Sequence, residues 1–235
     1  YGAPRFDAVL DALDATGGER LRFATSHPKD LTDGVIERFA KLRSLMPALH
    51  LPVQSGSDAV LAAMNRRYTR AHYLDLVRKL RAACPGIALS TDVIVGFPGE
   101  TAKDFEDTFR LVDEVGYHQV FTFIYSKREG TPAAKMEDST PREVVQERFD
   151  RLVDLVQTRA FEANQADLGS VVDVLVEGAS KRDGGLLAGK SPKNQTVHAP
   201  VPSGSTAEAL AGSIVPVRID EARTWYLAGE VVDGR

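Results

Sequence analysis

The sequence has 235 residues, 43% hydrophobic and 26% charged, with a formal net charge of −4 at pH 7; this supplies one large core, or a core plus a small module, and excludes a globally basic nucleic-acid binder. Its single cysteine, Cys84, excludes an internal disulfide and any cysteine-only metal or iron–sulfur site made by this chain alone. No apolar run approaches the roughly 18 residues of a membrane span, and the amino terminus is not signal-like, so the sequence reads as cytoplasmic and free of membrane contacts.

From Phe6, FDAVLDAL spaces Phe6, Val9, Leu10 and Leu13 at helical intervals, and RLRFATSHP then reads as a short strand and loop. The alternation repeats. TDGVIERFAKLR sets Val35, Ile36, Phe39 and Leu42 on one helical face, with Thr32 as N-cap. ALHLPVQSGS is the next strand and loop, followed by the helical segments DAVLAAM and HYLDLVRKLRAA. IALSTDVIVGFPGE comes third, with the helix KDFEDTFRLVDEV, and QVFTFIYSKREGT fourth, with a helical stretch from Pro141 to about Gln165. Apolar strands alternating with helices predict parallel strands covered by helices. Because a helix stands first, the expected class is α/β, with a partial barrel or open sheet that lacks its first strands.

After Leu168 the segments SVVDVLVEGAS, LLAGKSPKNQTVHAPV and SIVPVRIDEARTWYLAGEVV are β-branched and Gly-punctuated, which predicts a small antiparallel β domain of about five strands. The expected domains are 1–166, the partial barrel, and 167–235, the β domain. Gly204 to Gly212 reads as a connecting loop with a short turn.

Ligands of parallel α/β folds sit at the carboxyl ends of the strands, and here those ends carry polar and Gly-rich segments. TSHP brings Ser26 and His27; PVQSGS brings Gln54, Ser55 and Ser57, with Arg66 further on; the third strand brings Asp92, then Gly96 and Phe97; YSKREGT brings Tyr125, Ser126, Lys127 and Arg128. Gly96 and Gly99 serve either as turn glycines or as bare backbone beside the planar face of Phe97, an arrangement suited to a flat heterocycle. Asp92 inside an apolar strand needs a partner, which Arg66 or a backbone N–H could supply. The QSGS hydroxyls suit ribose or amino-acid recognition, and equally a helix N-cap at Ser57. No nucleophile, triad or paired metal ligands stand out, so any chemistry is borrowed from a cofactor.

RFATSHP, LHLPVQSGSDAVLAAMNRRYT, TDVIVGFPGET with DFEDT, and FIYSKREGTPAAKM together resemble the methylthiotransferase branch of the radical S-adenosylmethionine (SAM) enzymes, in its order and spacing. The β-rich remainder resembles the RNA-binding TRAM domain that closes this family. The resemblance implies a partial radical-SAM (β/α) barrel followed by a TRAM domain, the carboxyl-terminal portion of a longer protein. VLVEG and GKSPKNQTV look most like the tRNA-modifying members, which methylthiolate carbon 2 of an isopentenylated adenosine beside the anticodon. Sister branches act on a threonylcarbamoyl adenosine or a ribosomal protein.

The implied cofactors are SAM and two 4Fe-4S clusters, one reducing SAM to release a 5′-deoxyadenosyl radical and one supplying sulfur. Neither set of cluster cysteines is present, so the chain alone is expected to be inactive. Carried over to this sequence, Gln54, Ser55, Arg66, Asp92, Gly96 and Phe97 would bind SAM. Lys181, Arg182, Lys190, Lys193 and Asn194 would contact the tRNA anticodon stem-loop, with steep salt dependence, although a solvated hairpin reads the same way. Trp225 reads as a core anchor or a stacking ring. Two further readings stay open: an RNA-binding module whose barrel part is scaffold, and an α/β-barrel enzyme of phosphate-bearing metabolites. The latter lacks a phosphate cradle and an acid–base pair.

Overall fold

The computed structural model describes residues 5–24, 27–137, 140–181 and 183–233, so the expectations on Ser26 and Arg182 fall outside the described residues. The chain divides into two compact units, Tyr1–Val156 and Gln157–Arg235.

In the first unit, β1 (Ala48–His50), β2 (Ala88–Val95) and β3 (Gln119–Ile124) form a parallel sheet in that order, with Leu49 opposite Leu89 and Asp92 opposite Phe121. Strand side chains alternate between two faces. Leu49, Leu89, Thr91, Val93, Val95 and Val120 are buried on one, while the other carries His50, Ser90, Asp92, Ile94, Phe121 and Phe123, the last two 42% and 51% exposed.

The helices are α1 (Phe6–Asp14), α2 (Asp33–Lys41), α3 (Asp58–Ala63), α4 (Arg70–Ala83), α5 (Ala102–Val115) and α6 (Arg142–Gln165), which crosses the unit boundary in sequence. Their starts follow from side-chain caps. Thr32, Ser57, Thr69 and Thr101 each accept a hydrogen bond from a first-turn N–H, and Thr101 forms a capping box with Asp104. Apolar stripes such as Val35, Ile36 and Phe39 of α2, and Phe105, Leu111 and Val112 of α5, join the sheet's buried face in one core. Within it Tyr117 donates to the hydroxyl of Tyr73 (2.9 Å), which donates to the Leu51 carbonyl (2.8 Å). Burial pushes both phenols up.

Two expectations differ here. RLRFA makes only an isolated bridge, Leu21 to Leu45, in which Leu21 N–H donates to Ser44 and Leu21 C=O accepts from Met46. A strand needs a ladder as well as an alternating pattern, and the neighbouring segment supplies one rung. In α1 only Leu10 is buried, while Phe6, Val9 and Leu13 are exposed.

The second unit is a closed five-stranded barrel of β4 (Val171–Ala179), β5 (Leu186–Lys190), β6 (Thr196–Pro200), β7 (Ile214–Ala222) and β8 (Leu227–Val231), in the order β4-β5-β6-β8-β7. All pairs are antiparallel except β6 with β8, the parallel rung that closes the ring. Val174, Val176, Leu187, Val197, Val217, Ile219 and Leu227 fill a separate core. The expected turn in the Gly204 to Gly212 segment is the short helix α7 (Ala207–Leu210).

Candidate cofactor cleft and RNA-binding surface

A cleft of about 520 Å³ opens at the carboxyl ends of β2 and β3, lined by Gln54, Arg66, Asp92, Ile94, Phe97, Phe123, Ile124, Tyr125, Ser126, Arg128, Thr131 and Ala133. Four of the six expected cofactor residues therefore meet: Gln54, Arg66, Asp92 and Phe97. Ser55 and Gly96 do not line it.

Each lining group is held by its own local structure. Gln54 adopts a left-handed backbone (φ 69°), unusual for a residue with a side chain, and is fixed by its N–H to Asp92 C=O (2.8 Å) and by Ile94 N–H to its own carbonyl (2.9 Å). Asp92 faces His50 across the strand pair, Oδ2 to Nε2 at 3.5 Å, while His50 Nδ1 meets Ser90 Oγ at 3.0 Å. His50, which sequence reasoning passed over, thus stands where Arg66 or a backbone N–H was expected as partner. Its signal was a polar residue between two leucines in ALHLP, facing away from the core.

Arg66 instead lies 3.3 Å from His27 Nε2, while His27 Nδ1 accepts from Lys29 N–H at 3.2 Å. A neutral imidazole has one acceptor nitrogen, so the two contacts compete. Burial first, and then the Arg66 charge, pull His27 below its ordinary value, which favours the neutral ring. Phe97 is buried and meets Tyr125 edge to face at 5.2 Å. The Tyr125 hydroxyl is buried with no hydrogen-bond partner among the described residues. A buried hydroxyl without a partner is costly in a finished core, and this one borders a cleft.

The QSGS loop mostly serves as a clamp on α5. Ser55 Oγ meets Thr108 Oγ1 (3.1 Å), Gly56 N–H donates to the same oxygen (2.9 Å), and Ser57 Oγ donates to Asp104 (2.5 Å). A Cβ on Gly56 would lie 2.5 Å from the Asp107 carbonyl oxygen, so glycine lets the loop lie flat on that helix. Gly96, at φ +72°, is required by packing as well: a Cβ there would sit 2.5 Å from Val145 Cγ1. Its N–H donates to Glu100 Oε1 (3.2 Å), which pairs with Arg148 at 2.8 Å. The loop after β2 is thereby fixed in a shape that turns Phe97 toward the cleft.

In the second unit the expected RNA contacts separate. Lys193 is tied to Asp167 (2.7 Å), and Lys190 donates to Thr196 Oγ1 (2.9 Å). Asn194 forms a left-handed turn (φ 68°), its N–H donating to Ser191 C=O. Lys181 is exposed beyond the end of β4. Trp225, expected as core anchor or stacking ring, is 54% exposed.

Residues 2–112 match the model of the radical SAM superfamily, and residues 165–232 that of the TRAM domain. The tRNA-2-methylthio-N(6)-dimethylallyladenosine synthase of Geobacillus kaustophilus (strain HTA426) is 50% identical over 225 residues, 96% of this chain and 41% of that protein. The synthase of the same name from Alkaliphilus oremlandii (strain OhILAs) is 49% identical over 228 residues, 97% of this chain and 47% of that protein. The chain carries a radical SAM segment followed by a TRAM domain. It spans less than half the length of these curated relatives. Among solved structures, coproporphyrinogen III oxidase from Escherichia coli, described as a radical SAM enzyme, covers 81% of this chain with a TM-score of 0.53 at 14% identity, over 53% of its own length. That likeness concerns the fold alone.

The family implies SAM and iron–sulfur clusters, and the residues of this chain fit them unequally. For SAM, the cleft offers a carboxylate, an amide, aromatic edges and a phenol hydroxyl without a partner, a donor and acceptor set suited to a nucleoside with an amino-acid tail. For a cluster the residues do not fit: Cys84 caps the end of α4, and no group of three or more His, Cys, Asp or Glu among the described residues could hold a metal.

Proposed function

We propose that this chain is the carboxyl-terminal portion of a tRNA methylthiotransferase, providing a wall of its SAM site and its RNA-binding module, and that the substrate is an isopentenylated adenosine in the anticodon stem-loop. The observation that carries the reading is the cleft at the ends of β2 and β3, where Gln54, Arg66, Asp92 and Phe97 converge beside the Tyr125 hydroxyl. Bound there, SAM would supply both radical chemistry and the methyl group. The chain's own residues bind and orient. Asp92, beside His50, accepts hydrogen bonds from hydroxyl or ammonium donors; Tyr125 donates its free hydroxyl; Phe97 and Ile94 give an apolar wall for a flat base. The half-exposed Phe121 and Phe123 continue that wall along the same sheet face, a surface suited to a prenylated nucleoside. The clusters are left to other parts of the longer protein, so this chain alone is inactive.

Two variants in the complete enzyme test the cleft. Asp92→Asn and Tyr125→Phe are each expected to weaken SAM binding, measured by calorimetry, by about tenfold or more. Unchanged affinity in both would remove the cleft from the SAM site. If a cluster-free preparation of this chain converted SAM to 5′-deoxyadenosine, the assignment of radical chemistry to other parts of the protein would be wrong.

A further inference from the structure

Trp225 is the only tryptophan of the chain and stands 54% exposed in the turn between β7 and β8. An exposed aromatic on a loose loop would mean little, but this turn is fixed from beneath. Asn164 Nδ2 donates to the carbonyls of Arg223 (2.7 Å) and Thr224 (3.1 Å), and Gln165 Nε2 to that of Ala222 (3.1 Å). Arg223 N–H closes the turn on Tyr226 C=O at 2.9 Å. The Asn164 side chain is itself held: its Oδ1 accepts from Gln195 Nε2 (3.0 Å), which also donates to Asp167 (2.7 Å). Asn164, Asp167 and Gln195 are all buried. Tyr226, next to Trp225, is in turn braced against the ring of His198 at 5.4 Å. A buried polar network this complete over-determines the turn, and what it presents to solvent is an indole.

From Gln157 onward acidic residues outnumber basic ones. Lys193 is paired with Asp167, Arg218 with Asp220 and Glu230, Arg223 with Glu221, and Arg159 with Glu162. With most of the described cations of this unit paired to carboxylates, phosphate neutralisation is a small part of what its surface can offer RNA. Aromatic stacking on an unpaired base is the contact that needs no net positive charge.

We propose that Trp225 is a stacking platform for an unpaired nucleobase of the RNA. The inference rests on the RNA reading given above and names the contact the β barrel makes. The rigid turn removes the ordering cost that an aromatic side chain on a mobile loop would bear.

The sole tryptophan makes the test direct. An unmodified anticodon stem-loop RNA, labelled at its 5′ end, is titrated against this chain with fluorescence anisotropy and intrinsic tryptophan emission read together. The same stem as a blunt, loop-free duplex is the control. The expected result is saturable quenching by the stem-loop and none by the duplex. Trp225→Ala should lose affinity by about ten- to a hundredfold, and Trp225→Phe should stay within a few-fold of the parent. An anisotropy rise without quenching, or equal affinity of Trp225→Ala, overturns the stacking site and leaves the RNA reading standing. No anisotropy change in the parent chain overturns both.

Discussion

Glu100 and Arg148 illustrate how one residue can govern a loop's shape. Their side chains are 1% and 9% exposed and meet at 2.8 Å, and the carboxylate also receives Gly96 N–H. Burial outweighs both partners and raises the Glu100 carboxyl above its ordinary value of 4.5. A raised carboxyl contributes its stability fully below that ordinary value, and the contribution declines as pH climbs through the raised one. Arg148→Met leaves the carboxylate buried without its cation, which is expected to cost about 3–5 kcal/mol at neutral pH. Since protonation relieves that penalty, the cost should shrink as pH falls toward the ordinary glutamate range. Urea denaturation at neutral and mildly acidic pH checks this, and an equal loss at both would mean that the guanidinium's packing matters more than its charge.

The segment from β2 through its loop to α5 is where sequence and structure agree most and yet differ in meaning. Thr32 and Ser57 were legible as caps because an N-cap needs only a hydroxyl or amide one step before an apolar helical stripe. Asp92 and Phe97 were legible as cleft residues from the strand and the Gly-rich turn after it. Ser55 and Gly96 were less so: a serine's type does not say whether it meets a ligand or Thr108, and a glycine's does not say whether a cofactor or Val145 occupies the space beside it. His50 and Arg148 had no visible partners because those partners come from other elements. Two glycines of this loop make the distinction measurable. Gly96 and Gly99 both have positive φ, but a Cβ at Gly99 meets nothing within 4 Å. Gly99→Ala should cost roughly 1 kcal/mol through φ alone, whereas Gly96→Ala adds the Val145 clash and should cost roughly 2–4 kcal/mol. Equal melting-temperature losses would show that α6 gives way freely.

At the scale of the whole molecule, charge and the two cores set what each unit can do. The strongly β-branched tail foretold the five strands of the barrel, since Gly-punctuated alternation is a local signal. The parallel pairing of β6 with β8 was hidden, because it depends on which strand lies beside which. The basic residues around Lys190 suggested steep salt dependence, and the structure moderates that expectation by pairing Lys193 with Asp167. Released counterions are thus few. A log–log plot of RNA affinity against salt should have a slope of roughly two or less in magnitude, at about 0.7 per phosphate for a single strand. A slope of about four or more would place the RNA on a surface other than the barrel.

The two sheets also differ in how they end. The barrel closes on itself, whereas among the described residues β3 lies at the end of an open ladder and carries Phe121 and Phe123 half in water. In a crowded cell or a concentrated sample, such a margin is a template for another chain's strand. The practical corollary concerns preparation: the barrel should tolerate isolation and concentration, while the α/β unit will need dilution, or a partner along β3, to stay out of aggregates.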